Sequence, residues 1–183
     1  WHGFLRLNDE SSIAFVHNGE IGKIPVNLGQ THAGNPGANC AKGTMQHLAF
    51  KVADDAELMA MRDRLRSKGV PVVGPKDDGF CTSIYFAGPE NLSLELSYST
   101  AAINAEAWID PEVVAIAGIS ADELARYKSS SDYTNQGGDV RQPDASAPGP
   151  HMTNYPDGLY TKILATTDEA MLAASENQPP VVV

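Results

Sequence analysis

Basic residues are scarce and unclustered: 13 Lys and Arg against 23 Asp and Glu leave a formal charge of −10 over 183 residues. A nucleic-acid binder needs a basic stripe to neutralise phosphates, and an anionic membrane surface would repel this chain, so neither is an expected partner. Long apolar runs are missing too; none approaches the roughly 20 residues needed to span a bilayer. Cysteine is nearly absent, and Cys40 and Cys81 cannot build a disulfide framework. That usage suits a reducing cytoplasm, which is the expected location. There is no signal-peptide pattern and no initiator Met, and Trp1 opens almost directly into a strand-like segment. The expectation is a chain that starts partway through a domain.

What remains is a globular composition, 42% apolar and 20% charged, long enough for one domain and an appendage. Residues 3–7 and 12–17 flank the turn-prone Asn8-Asp9-Glu10-Ser11 and predict a hairpin. Residues 18–45, rich in Gly and carrying Pro25 and Pro36, read as a connector. Over 46–100 the pattern sharpens. A strand at 46–52 is followed by Asp54 and Glu57, a capping pair, and by Leu58, Met61 and Leu65 at helical spacing, with Gly69 as the stop. Val70-Pro71-Val72-Val73 predicts a short edge strand, 74–79 a loop, 81–86 a strand, Gly88–Asn91 a turn and 92–98 the last strand. The order is β-α-β-β-β.

Residues 101–183 change character and predict a helical extension with a Pro/Gly/Ser-rich linker at 129–150. Asp110-Pro111 and Ser120 with Glu123 start helices there. A further helical stretch runs from about Tyr155 to Ser175, broken near Thr166–Asp168, before an extended Pro179–Val183 tail.

Side chains alternate along a strand, so each strand of the 46–100 unit has two unlike faces. Leu48, Phe50 and Val52 oppose His47 and Ala49; Leu92, Leu94 and Leu96 oppose Ser93, Glu95 and Ser97. The 81–86 strand, expected between these two in the sheet, sets Ile84 and Phe86 against Ser83 and Tyr85. One face is oily enough for a helix. The other gathers an imidazole, a carboxylate and a phenol, the donors a metal site needs. An ordinary solvated sheet face would alternate too, but it would be rich in Lys and Glu, whereas here the companions are serines and a tyrosine.

A β-α-β-β-β unit with His in its first strand (Gln46-His47-Leu48-Ala49-Phe50-Lys51-Val52) and Glu in its last (Leu92-Ser93-Leu94-Glu95-Leu96) resembles the vicinal oxygen chelate superfamily. That group includes glyoxalases, fosfomycin- and bleomycin-resistance proteins and extradiol dioxygenases. The resemblance covers about residues 3–98 and implies an α+β fold in which βαβββ modules form a curled mixed sheet around a cleft. It implies that residues 1–17 are the closing strands of a first module and 46–100 a second. It also implies a divalent metal held by His47 and Glu95, with a third ligand from a strand before Trp1.

Such a set leaves adjacent positions open for substrate oxygens. The metal would be Fe(II) in an extradiol-type dioxygenase, or Zn, Ni or Mn in a glyoxalase-like lyase or isomerase; a metal-free binding protein of the bleomycin-resistance kind is the alternative. Tyr85, ten residues before Glu95, matches a substrate-binding Tyr of ring-cleaving relatives and tilts the reading toward ring cleavage. Residues 75–80 lack the acid–base His those relatives carry, which tilts it back. A small-molecule substrate is expected, and a homodimer, because modules of this group pair between subunits. His2, His17, His32 and His151 read as surface or loop residues, and Asp77, Asp78 and Glu90 as solvated turn residues.

Overall fold

A computed structural model describes residues 1–129, 132–175 and 178. The chain divides into two compact units, Trp1–Gly118 and Ile119–Val183.

The first unit opens with an antiparallel hairpin, β1 (His2–Arg6) and β2 (Ser12–Val16), in register Phe4 with Ala14. Its turn is shaped by Asn8, whose Oδ1 accepts from the Glu10 amide at 2.9 Å. After the connector come β3 (Leu48–Lys51), helix α1 (Asp55–Ser67), β4 (Val72–Asp77), β5 (Cys81–Ala87) and β6 (Ser93–Ser99). This is the expected βαβββ order, and the fold is α+β with a mixed four-stranded sheet.

Helix α1 starts where its sequence says it should. Asp54 accepts from the Glu57 amide at 2.9 Å while Glu57 reaches back to the Ala53 amide at 2.6 Å. Gly69 ends the helix at φ +79, a backbone state that a Cβ disfavours. Its apolar stripe faces the sheet: Leu58 and Ile84 are fully buried with Val52 and Leu96, and Met61, Leu65, Phe50 and Phe86 pack around them. Burying that stripe, rather than helix propensity, holds the helix in place.

Three expectations change. The sheet order is β3-β6-β5-β4, so the 81–86 strand does not lie between the strands of His47 and Glu95; β3 and β6 are direct parallel neighbours. Alternation reveals faces but not neighbours, and the crossover through α1 returns the chain so that the last strand closes on the first. His47 stands just before β3 rather than mid-strand, since pairing with β6 begins at Leu48, opposite Leu94. The predicted 74–79 loop is largely strand: β4 continues to Asp77 through a register break between Val73 and Lys76. Pro75 fits there because β4 is an edge strand and a bulge needs no donor from it.

Gly74 makes that bulge possible. It sits at φ +107, and a Cβ on it would come within 2.7 Å of the Ser83 carbonyl oxygen. Gly74→Ala is expected to cost about 1–3 kcal/mol of stability, read as a lower midpoint in urea unfolding; an unchanged midpoint would refute the account.

After β6, α2 (Pro111–Ile116) follows its Asp110 cap. In the second unit, α3 (Ala121–Lys128) carries the full Ser120–Glu123 capping box, and residues 132–150 contain no helix or strand, as the linker composition predicts. The 155–175 stretch forms α4 (Leu159–Leu164) and α5 (Asp168–Ala174), broken at the expected Thr166–Thr167 where Thr167 caps α5. It starts later than expected, beyond the turn at Pro156–Gly158. The predicted extended tail lies outside the described residues. Among the described residues no helix is long and apolar enough to cross a membrane.

Candidate functional site

On the sheet face turned away from α1, one row of register partners runs Val73, Tyr85, Glu95 and Ala49 across the four strands. His47 lies two residues before Ala49 and therefore on the same side. Its Nε2 is 2.8 Å from Glu95 Oε2. Glu95 is 6% exposed, whereas the His47 side chain keeps about a third of its surface (32%).

The other ring nitrogen is also committed. Gln46 Nε2 donates to the carbonyls of Asn35 (3.1 Å) and Ala38 (3.4 Å), which turns the Gln46 Oε1 toward His47 Nδ1 in a short contact. An amide oxygen only accepts, so Nδ1 is the nitrogen that carries hydrogen toward Gln46, and Nε2 is the nitrogen turned to the carboxylate. A metal fits this arrangement: right-angled ligands with bonds of about 2.1 Å lie about 3 Å apart. The orienting carbonyl behind Nδ1 is what metal-bound imidazoles use. The donor set is short by one, since among the described residues no three His, Cys, Asp or Glu side chains converge.

Tyr85 stands beside the pair. Its ring centroid is 6.2 Å from that of His47, edge-on at 71°. Its hydroxyl donates to Asp78 Oδ2 at 3.4 Å, and Asp78 Oδ1 is in close contact with Lys76 Nζ. Burial holds the Tyr85 phenol above its ordinary range; the charges of Glu95 and Asp78 push the same way, against a hydrogen bond with Ser83 and the charge of Lys76. Tyr85 is therefore a neutral hydrogen-bond donor at neutral pH. Hydrogen bonding to Asp78 raises the Lys76 ammonium.

Several residues depart from their sequence reading. Asp78 is not a free turn residue; the β4–β5 hairpin brings it seven positions back to the Tyr85 hydroxyl. His32 is buried, not on the surface, with Nε2 2.9 Å from the Glu90 carbonyl and Nδ1 3.1 Å from Thr31 Oγ1. It pins the connector to the β5–β6 turn, where Glu90 and Asn91 hold positive φ. Gln46 gave no signal, because its partners are backbone carbonyls of any residue type. His17 stacks on Trp1 at 5.2 Å, and His151 belongs to the other unit, where Nε2 lies 2.8 Å from the Ala147 carbonyl. Cys40 and Cys81 are both free thiols, Cys81 Sγ standing 3.8 Å from Ser83 Oγ.

Comparison with known proteins adds a family. The family model described as "Glyoxalase/Bleomycin resistance protein/Dioxygenase superfamily" matches residues 3–96. No curated protein matches. Among solved structures, an integron cassette protein from the mobile metagenome of the Halifax Harbour sewage outfall is 30% identical, with 33% of this chain and 54% of that one covered and a TM-score of 0.26. The genomically encoded fosfomycin resistance protein FosX of Listeria monocytogenes is 30% identical over 31% of this chain and 48% of its own, with a TM-score of 0.27. The protein SMU.1112c is 31% identical over 34% and 44%, also at 0.27. The chain thus spans about half the length of the solved structures it matches.

Proposed function

Because the chain belongs to the Glyoxalase/Bleomycin resistance protein/Dioxygenase superfamily over residues 3–96, we propose that it serves a divalent-metal-dependent enzyme acting on a small substrate with two adjacent oxygens. One observation carries this reading: a buried carboxylate oxygen and an imidazole nitrogen meet at 2.8 Å with the other imidazole nitrogen already oriented by Gln46. His47 and Glu95 would hold the metal. Residues 46–100 are then the second βαβββ module, β1 and β2 the closing strands of the first, and the third donor comes from the first module's opening strand or a second copy of the chain in a homodimer. The free thiols suit a reducing compartment such as the cytoplasm.

The bound metal would supply Lewis acidity toward substrate oxygens or, as Fe(II), activation of dioxygen. The chain's own groups do the rest. Gln46 fixes the His47 ring so that only Nε2 faces the site. Glu95 balances cationic charge from a buried position. Tyr85 donates a hydrogen bond to a substrate oxygen, relinquishing its long contact with Asp78, and remains protonated because burial disfavours the phenolate.

Tyr85 beside the pair favours ring cleavage of a catechol with Fe(II). A lyase or isomerase with Zn, Ni or Mn is favoured instead by residues 75–80, which bring Asp78 rather than a His to the Tyr85 hydroxyl. Oxygen uptake by the Fe(II)-loaded protein over a panel of catechols separates the two, and silence across the panel removes ring cleavage. In whichever reaction is found, Tyr85→Phe should lower kcat on the order of a hundredfold; wild-type turnover would remove Tyr85 from the chemistry. A chain that binds organic ligand but never metal would be a binding protein of the bleomycin-resistance kind.

A further inference from the structure

The turn that carries Asp78 is held from outside the hairpin it closes. Asp78–Phe80 joins β4 to β5, with the Asp78 amide donating to the Cys81 carbonyl at 2.9 Å and the Gly79 amide to Asp77 Oδ1 at 2.8 Å. The chain leaving β6 then returns over this turn. The Thr100 amide donates to the Phe80 carbonyl at 3.0 Å, and the Thr100 hydroxyl to the Gly79 carbonyl at 3.5 Å. A short 3-10 turn, Ala105–Trp108, lays the Trp108 indole on Gly79, where an added Cβ would meet Cη2 at 2.8 Å and Cζ2 at 3.1 Å. Gly79 holds φ +88 and has no side chain to keep the ring away. The same indole meets the Phe80 ring edge to face, with centroids 5.0 Å apart.

These contacts converge on the segment that reaches the candidate site. Asp78 Oδ2 accepts from the Tyr85 hydroxyl at 3.4 Å, and Asp78 Oδ1 is in close contact with Lys76 Nζ. Hairpin tips open readily because few buried contacts hold them, so a hydrogen bond made from a tip lasts only while the tip is fixed. Lys76 is a poor anchor, since its side chain is 63% exposed and an exposed ion pair contributes little. Trp108 brings a large rigid ring. Neither Trp108 nor Phe80 belongs to the core around Leu58 and Ile84, so their contact holds the turn rather than the sheet.

Resting on the reading of Tyr85 given above, we infer that Trp108 is a positioning residue for Tyr85: by clamping Gly79 and Phe80 it keeps Asp78 on the Tyr85 hydroxyl and the phenol in one orientation beside His47 and Glu95. The segment that follows the βαβββ module thereby acts on the site without touching it.

The test is NMR of the full chain with isotope-labelled tyrosine Cζ carbons, whose shifts report the partner of each hydroxyl; Tyr85→Phe identifies the Tyr85 resonance. At neutral pH, Asp78→Asn should move that resonance upfield, toward a tyrosine donating only to water, because an anionic acceptor is the stronger partner. Trp108→Ala should move it the same way, as should Phe80→Leu, which breaks the ring contact from the turn's side. Trp108→Phe, which keeps a ring over Gly79, should restore the wild-type position. Zinc affinity should be unchanged in Trp108→Ala. A resonance that responds to Asp78→Asn but to neither Trp108→Ala nor Phe80→Leu would overturn the inference, as would one that ignores Asp78→Asn. Weakened zinc binding in Trp108→Ala would also overturn it, because the indole would then be supporting the sheet. If the shifts appear in a chain that takes up no zinc, the positioning stands and the metal reading fails; if zinc binds and is lost in Glu95→Ala while the shifts are missing, the reverse holds.

Discussion

Glu95→Ala will abolish divalent-metal binding. The loss should exceed the roughly 10–100-fold that follows removal of a group merely orienting a ligand, which is the effect expected for Gln46→Ala through the freed His47 ring. Zinc competition titrations of the full chain measure both, and wild-type affinity in Glu95→Ala would end the metal-site reading. The metal-free protein offers a second test, because the pair is unequally buried. His47→Ala leaves a 6%-exposed carboxylate without its partner, whereas Glu95→Ala leaves an imidazole that already reaches water. His47→Ala should therefore be the more destabilising of the two, by about 1–3 kcal/mol. The opposite order would mean that the contact is not what satisfies Glu95.

Leu58→Ala should remove about 2–5 kcal/mol of stability, the largest single effect expected outside the site. Leu58 has no exposed surface; it lies in the first turns of α1 against Val52, Ile84 and Leu96, where truncation opens a cavity between helix and sheet. Val113→Ala is the contrast: at 58% exposure on α2 it should stay within about 0.5 kcal/mol of the parent. Urea unfolding of the two variants compares them directly. A Leu58→Ala loss below about 1 kcal/mol would show that α1 is not what closes the core.

The elements that were legible are those with a strong local code. The α1 stripe of Leu58, Met61 and Leu65, its Asp54 cap and its Gly69 stop are each written within a few residues, and each holds in the structure. Strand alternation likewise assigned His47, Tyr85 and Glu95 to one face. It could not say which strands touch, so β5 was expected where β6 lies. Pro75 misled for a related reason: locally it argues against a strand, yet an edge position and the Gly74 bulge admit it. The connector has no periodicity, so neither the burial of His32 nor the placement of residues 34–36 beside Tyr85 could be anticipated.

Residue types and their spacing alone were enough to settle the βαβββ order, the oily and polar faces and the pool of donors, because helix and strand periods act over a few residues. Only the folded chain decided that Glu95 neighbours His47, that Gln46 aims the imidazole and that the connector packs beside Tyr85. Those facts depend on strand pairing and on backbone carbonyls brought together from distant positions, and neither leaves a mark on the identity of the residues involved.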